Sequence, residues 1–281
     1  TTVRHATLHN IEEIRRKDIR VGDRVVVEKA GEIIPQVVEV RLADRPADAV
    51  PIEPPSHCPA CGGDVGQEGP KIFCLNPECP AQLRERIAWF AGRNQMGIDG
   101  LGEKIVDQLV DKGLVHHLAD LYSLTIVQLS ELEGLGQKSA TSLVEAIGAS
   151  RDRGLGRLLA SIGIRQIGQS AARTLAKAYP DMDALLAADR DALEQLSDFG
   201  AITAAILHET LHSSRGQELV ERLGAAGVRM TSDLYGSSGD GQGRFAGMTM
   251  VLTGTMEHGT RAELGRRLES MGATVASSVS R

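Results

Sequence analysis

Aromatic side chains are scarce: Phe, Trp and Tyr make up 3% of the 281 residues. Cores must therefore be assembled from Leu, Ile, Val and Ala. No apolar run approaches the ~20 residues that span a bilayer, and no charged-then-apolar leader stands at the front. The sequence thus marks neither a membrane span nor secretion. Excess positive charge is also missing. The net charge is −6, with basic and acidic side chains interleaved along the chain. That balance argues against a polybasic groove for nucleic acid. If the chain binds DNA, backbone amides and a few placed cations must carry much of the contact. No cluster of Asp and Glu stands at metal-site spacing, which leaves a nuclease without support. His116 and His117 are adjacent, and neighbours on a helix point different ways, so they read as surface histidines. The chain opens on Thr1, and Ala6-Thr7-Leu8 already reads as strand. A fragment that starts and ends inside larger domains is expected, with about two to four small domains in this length.

Cysteine is absent except between residues 58 and 79, where all four lie in the pattern Cys58-x2-Cys61-x12-Cys74-x4-Cys79. Two close pairs on turns, separated by a short hairpin, suit Zn²⁺ held tetrahedrally by four thiolates. Pro59, Gly62 and Gly63 supply the first turn, and Asn76, Pro77 and Pro80 the second. A disulfide framework is the alternative, disfavoured in a chain without a leader. Four thiolates leave no open position, so the expected metal is structural. His57 abuts the first cysteine and reads as a solvated histidine.

Glycine is plentiful and periodic. Gly102, Gly136, Gly168 and Gly200 recur at intervals of 34, 32 and 32 residues, each ahead of an apolar stripe with helical spacing. Gly100-Leu-Gly102-Glu-Lys104 and Gly134-Leu-Gly136-Gln-Lys138 are the clearest copies. A period of this length signals a stacked supersecondary unit, here helix, hairpin, helix. Glycines at a helix mouth leave N–H groups bare, and the helix dipole adds positive potential, which suits a phosphate. Lys104 and Lys138, two residues past the mouth, add a cation. Paired hairpins could grip both strands of a duplex through its backbone, with little sequence information. The alternative is an all-α bundle whose glycines only cap helices. In the third copy Gln166 replaces the earlier glycine and Arg165 stands beside it; in the fourth Asp198 replaces it. A carboxylate repels phosphate, so the fourth hairpin is expected to bind less strongly than the first two.

Elsewhere, Val3 to Leu8 reads as a strand. Asn10 to Lys17 reads as a short helix capped by Asn10, with Glu13 three residues on. Arg24–Lys29 and Ile33–Leu42 flank Ala30-Gly31-Glu32 as a hairpin, after a turn at Gly22-Asp23. Such small barrels bind nucleic acid or sugars in many proteins; a plain β core fits the pattern equally. Residues 43–56, rich in Pro, Ala and Asp, read as a linker. Trp89 and Phe90 are both expected in the core of the first long helix. Residues 236–243 are a Gly/Ser tether. Met248 to Leu252 then reads as a buried strand, and Arg261 to Met271 as an amphipathic helix.

The order of parts is distinctive: Ala6-Thr-Leu-His-Asn10, Lys29-Ala-Gly-Glu-Ile-Ile-Pro-Gln36, Cys58-Pro-x-Cys-Gly, Cys74-x-Asn-x-x-Cys-Pro-Ala-Gln82, then four hairpins. This order closely resembles the C-terminal part of bacterial NAD⁺-dependent DNA ligases, over essentially the whole chain. The resemblance implies a multidomain fold: an OB-like small β-barrel (1–56), a four-cysteine zinc finger (57–82), an all-α array of four helix-hairpin-helix repeats (83–235), a linker (236–243) and an incomplete α/β BRCT-like module (244–281). It implies that the chain clamps nicked double-stranded DNA as a monomer, in the bacterial cytoplasm near the nucleoid. It implies that Gly31, Ile33 and Ile34 press on the minor groove at the nick, and that Thr253 and Gly254 form a phosphate-binding turn in the last module. Beside these stand the DNA contacts read from the repeats: Gly100, Gly102, Lys104, Gly134, Gly136, Lys138, Arg165, Gly168 and Gly200. In the family a lysine of a Lys-x-Asp-Gly motif attacks NAD⁺, with Mg²⁺ assisting. That motif is absent here, so no catalytic residue is assigned, and NAD⁺ and Mg²⁺ are expected to bind mainly outside this chain. A free-standing DNA-binding scaffold is the alternative.

Overall fold

A computed structural model describes residues 3–30, 34–236, 244–245, 248–254, 256, 264–265, 267–268 and 271–276. The expected tether lies outside these residues apart from Gly236. The chain divides into two compact units, Thr1–Gln82 and Leu83–Arg281.

The first unit begins irregularly. Val3 to Leu8 forms no strand; Thr7 alone bridges to Gln36, with its N–H donating to Pro35 O at 2.8 Å. His9, at φ 60, turns the chain away at once. Asn10 then caps helix α1 (Ile11–Arg16), its Oδ1 accepting from Glu13 N–H at 3.0 Å, as side-chain oxygens at that position do. Strand β1 (Arg20–Val21) leads to the hairpin of β2 (Val25–Ala30) and β3 (Ile34–Val40), whose antiparallel register carries a bulge between Val26 and Val27. Residues 43–56 are ordered where a linker was expected: β4 (Val50–Pro51) pairs with β1, and Ile52 packs on the small core of Ile19, Val37 and Val40. Arg45 locks this segment down. Its Nε reaches Asp23 Oδ1 at 2.8 Å and its Nη1 reaches Asp18 Oδ2 at 2.5 Å. These bonds hold both carboxyls below their usual range. Strands β5 (Val65–Glu68) and β6 (Lys71–Cys74) form the hairpin inside the cysteine cluster.

Helix α2 (Pro80–Ala91) opens the helical part. Leu83, Ile87, Phe90 and Ala91 are its buried residues, the i, i+4, i+7, i+8 stripe of a core-facing helix. Trp89, one step from Phe90, is off that stripe. It is 51% exposed, and its Nε1 donates to Ala160 O at 3.2 Å; the expectation of a buried Trp89 is corrected accordingly. Nine further α-helices follow among the described residues: α3 (Glu103–Asp111), α4 (Ile126–Ser130), α5 (Gln137–Ser150), α6 (Leu155–Ser161), α7 (Gln169–Ala178), α8 (Met182–Leu186), α9 (Arg190–Glu194), α10 (Ala201–His212) and α11 (Ser214–Ala225). One continuous aliphatic cluster runs from Leu83 to Val228. Its aromatic members are few: Phe90 meets Tyr122 edge-on at 6.4 Å.

Arginines staple this array to itself. Arg153 donates to Met96 O and Gly97 O, at 2.9 and 3.3 Å. Arg157 donates to Gln95 O and Arg93 O. Arg151 donates to Ala226 O and Tyr122 O, at 2.9 and 3.0 Å, and lies over the Tyr122 ring. Near the end of the chain, β7 (Thr249–Val251) and β8 (Thr274–Ala276) pair in parallel. Of the expected amphipathic helix, Leu264, Gly265, Arg267, Leu268 and Met271 are described; the first four are helical and Met271 lies in a turn.

Candidate metal centre and nucleic-acid interface

The β5–β6 hairpin brings Cys74 to the turn that carries Cys58 and Cys61, and Cys79 follows just before α2. All four Sγ atoms lie within 4.8 Å of one another. Cys58 and Cys79 stand 3.8 Å apart, and Cys61 and Cys74 stand 3.5 Å apart. Four sulfurs at ~2.3 Å from one ion make a tetrahedron with edges of about 3.8 Å, so the donor set fits a single closed metal site. Local backbone shapes it. Gly63 N–H points at Cys61 Sγ (3.4 Å) and Asn76 N–H at Cys74 Sγ (3.3 Å). A Cβ on Gly63 would sit 3.0 Å from Asn76 Cβ, so the two turns interlock only with glycine there. The Gly63 N–H lowers the Cys61 thiol to about 7, while burial raises Cys74 to about 12. His57 is exposed beside the cluster.

The repeated glycines sit where the sequence puts them, at helix mouths. Gly102, Gly136, Gly168 and Gly200 are the residues immediately before α3, α5, α7 and α10, all extended, at φ −83, −78, −89 and −106. No side chain caps any of these four helices. By contrast α1, α4, α8, α9 and α11 are capped by side-chain oxygens of Asn10, Thr125, Asp181, Asp189 and Ser213. The first amides of a helix are orphans unless something caps them. In the hairpin helices nothing on the cap residue does.

Two residues before each mouth the backbone enters the left-handed region: Gly100 at φ 90, Gly134 at 82, Gln166 at 65 and Asp198 at 67. The turn is thus kept in all four copies, although two of them have lost the glycine that makes it easy. Lys104 and Lys138 are exposed and enter no ion pair among the described residues. Arg165 is exposed but engaged by other groups. Two residues past the fourth mouth, where the first two have Lys104 and Lys138, stands Ile202, 71% exposed.

The structure brings the hairpin residues of each repeat together, and the other expected contacts lie on other elements. Ile34 begins β3 and is 58% exposed; Gly31 and Ile33 lie outside the described residues. Thr253 and Gly254 are exposed, with Gly254 at φ 79. Two features escaped the sequence: the left-handed backbone at Gln166 and Asp198, for which those residue types give little signal, and the Arg153 and Arg157 staples, which depend on contacts 56 to 64 residues away.

Residues 1–49 match the family of NAD-dependent DNA ligase OB-fold domains. Residues 96–149 match the SAM-like helix-hairpin-helix tandem, and residues 157–220 the helix-hairpin-helix motif. Over its whole length the chain is 45% identical to a DNA ligase of Lysinibacillus sphaericus and 43% identical to one of Halalkalibacterium halodurans. It is 42% identical to a DNA ligase of Anoxybacillus flavithermus. The chain spans 42 to 43% of the length of these relatives.

Proposed function

We propose that this chain, a relative of bacterial NAD-dependent DNA ligases along its whole length, is the C-terminal part of such an enzyme that holds nicked duplex DNA for sealing. The observation that carries the reading is the set of four helix mouths with no side-chain cap, two of them followed by exposed lysines. Main-chain amides grip phosphates without reading bases, which suits an enzyme that must act at any sequence. Hairpins one and two hold phosphate most firmly. Hairpin four, with Asp198 and Ile202 facing solvent, contributes least. The stretch of Gly31, Ile33 and Ile34 presses on the minor groove beside the nick, where a break in one strand makes deformation easier.

The four cysteines hold one Zn²⁺ as a structural ion; it organises the β5–β6 turn and takes no part in chemistry. The strand-joining chemistry of NAD⁺ and Mg²⁺ belongs to residues beyond this chain, which has no Lys-x-Asp-Gly motif. The β7–β8 segment, with Thr253 and Gly254 on its loop, is a BRCT-like piece that touches DNA loosely. Among the described residues no helix is long and apolar enough to cross a membrane.

The test is a titration of a fluorescent nicked duplex at several salt concentrations. Lys104→Ala and Lys138→Ala are each expected to weaken binding to duplexes of any sequence and to lower the salt slope by about 1. Unchanged affinity and slope in both variants would remove these hairpins from the interface. Binding to intact and nicked duplex with equal affinity would favour a general DNA-binding scaffold over a nick clamp.

A further inference from the structure

Helix α3 starts at the first mouth, Gly102, and two turns later it holds the second hairpin. Gln108, half-buried on α3, places its amide against Glu133 in both directions. Its Oε1 accepts from Glu133 N–H at 2.6 Å, and its Nε2 donates to Glu133 O at 3.0 Å. The same Nε2 reaches back to Lys104 O at 3.2 Å. Four residues further along α3, Lys112 Nζ donates to Glu131 O at 3.1 Å. Glu133 immediately precedes Gly134, the left-handed residue of hairpin two. Between these held residues, Leu132 is buried in the common core. The root of the second hairpin therefore hangs on side chains of the helix that follows the first.

The converse support is apolar. The α-carbon of Gly100 backs onto Leu143 of α5, which an added Cβ would meet at 3.7 Å. In the second pair of repeats the polar link runs the other way: Thr203 on α10 donates to Gln166 Oε1 of the third hairpin at 2.7 Å. That link is one bond between side chains. The Gln108 link grips main chain with two.

We infer that Gln108 is a positioning residue, which fixes the second phosphate-binding mouth relative to the first so that Gly102 and Gly136 meet the duplex backbone as one unit. The inference rests on the DNA-binding reading above. Six residues at a 1.5 Å rise put Gln108 about 9 Å along α3 from the Gly102 mouth, so a stiff helix segment carries the spacing. A side-chain amide that pairs with both the N–H and the C=O of Glu133 fixes the two peptide groups on either side of it. Without it, the Glu131–Leu135 turn keeps its own short bonds, Leu132 N–H to Leu129 O and Leu135 N–H to Leu132 O. It loses the two bonds that orient Glu133 to α3 and keeps only the single Lys112 Nζ bond to Glu131 O.

The experiment uses the full 281-residue chain and the nicked-duplex titration. Gln108→Ala is expected to lower affinity about tenfold, the scale of one or two net hydrogen bonds, and to lower the salt slope by about 1. In that background Lys138→Ala should cost nothing more, because hairpin two is already out of register, whereas Lys104→Ala should keep its full effect. Gln108→Met, of similar length but without the amide, should behave as Gln108→Ala does, with helix content and metal content of the parent. Independent, additive losses from Gln108→Ala and Lys138→Ala would overturn the inference, as would parental affinity in Gln108→Ala or Gln108→Met. A parent chain that fails to bind duplex at all would overturn the wider reading, and this inference with it, before any Gln108 variant is measured.

Discussion

Glycine at positions 102, 136, 168 and 200 is not required by the local backbone. All four have negative φ and extended ψ, open to any residue, and a Cβ built on each meets nothing within 4 Å. As N-cap residues they are also ordinary choices, since Ser, Asp and Asn stabilise a helix start better than Gly does. Folding would therefore tolerate exchange at these positions, so a role in binding can be tested there apart from stability. Gly134 is the control. At φ 82 it favours glycine for conformational reasons, because a β-carbon in that region costs roughly 1–2 kcal/mol. The two positions therefore separate binding from folding. Gly136→Asp should raise thermal stability slightly, by a few tenths of a kcal/mol as a better cap, yet abolish measurable duplex binding by placing a carboxylate at the mouth. Gly134→Val should destabilise the fold by about 1–2 kcal/mol. Thermal melts and duplex titrations on the same preparations check both. A destabilised Gly136→Asp would return that glycine to a purely structural role.

At the scale of elements, the parts that carried local chemistry were legible in the sequence and the parts decided by distant partners were not. The helix mouths, the α1 cap and the cysteine hairpin each follow from residues within a few positions of one another. Residues 43–56 looked like a linker by composition, but Arg45 finds Asp23 and Asp18, 22 and 27 residues back, and the segment becomes part of the first unit. Val3 to Leu8 has strand-like alternation, yet only Thr7 finds a partner. Trp89 and Phe90 look equally apolar in a list of residues; their separation of about 100° on α2 decides which one is buried. The cysteine cluster is the element whose order depends most on something besides the chain. Its hairpin has few buried side chains beyond Cys58 and Cys79, so an ion held by the four thiolates would supply much of its folding energy. Cys74→Ser removes one of four thiolates and is expected to reduce zinc content from one ion per chain to a small fraction of that, with loss of amide protection across Val65–Glu68 and Lys71–Cys74. Metal analysis with hydrogen exchange measures both. Full zinc occupancy in the variant would mean that a fourth ligand other than Cys74 completes the site.

Across the whole molecule the two units differ in what holds them. The second is built on one large aliphatic cluster stapled by Arg151, Arg153 and Arg157 to main-chain carbonyls, contacts that do not titrate in the acid range. The first has a small core of three buried side chains, Ile19, Val37 and Val40, and leans on Arg45 with its two carboxylates. Hydrogen bonds from Arg45 hold Asp18 and Asp23 below their ordinary values in the folded state. A depressed folded value means that the pair contributes stability above the unfolded carboxylate range, near pH ~4. That contribution is lost as pH falls from there through the lower folded values. Acidification from neutrality should therefore open residues 34–52 while the core around Leu109, Leu129 and Leu175 stays protected. Thiolates also take up protons in acid and release their ion, so the carboxylate share must be isolated. Arg45→Met does this: it leaves the four cysteines intact, weakens the first unit at neutral pH, and should flatten the acid dependence of exchange at residues 34–52. Hydrogen exchange followed by peptide mass analysis, between about pH 7 and about pH 3, resolves the two units. If both units opened over the same range in parent and variant alike, the Arg45 network would not be what distinguishes them. If only the first opened, and Arg45→Met moved that opening to neutral pH, the division into a charge-held unit and an aliphatic one would be a thermodynamic property of the chain.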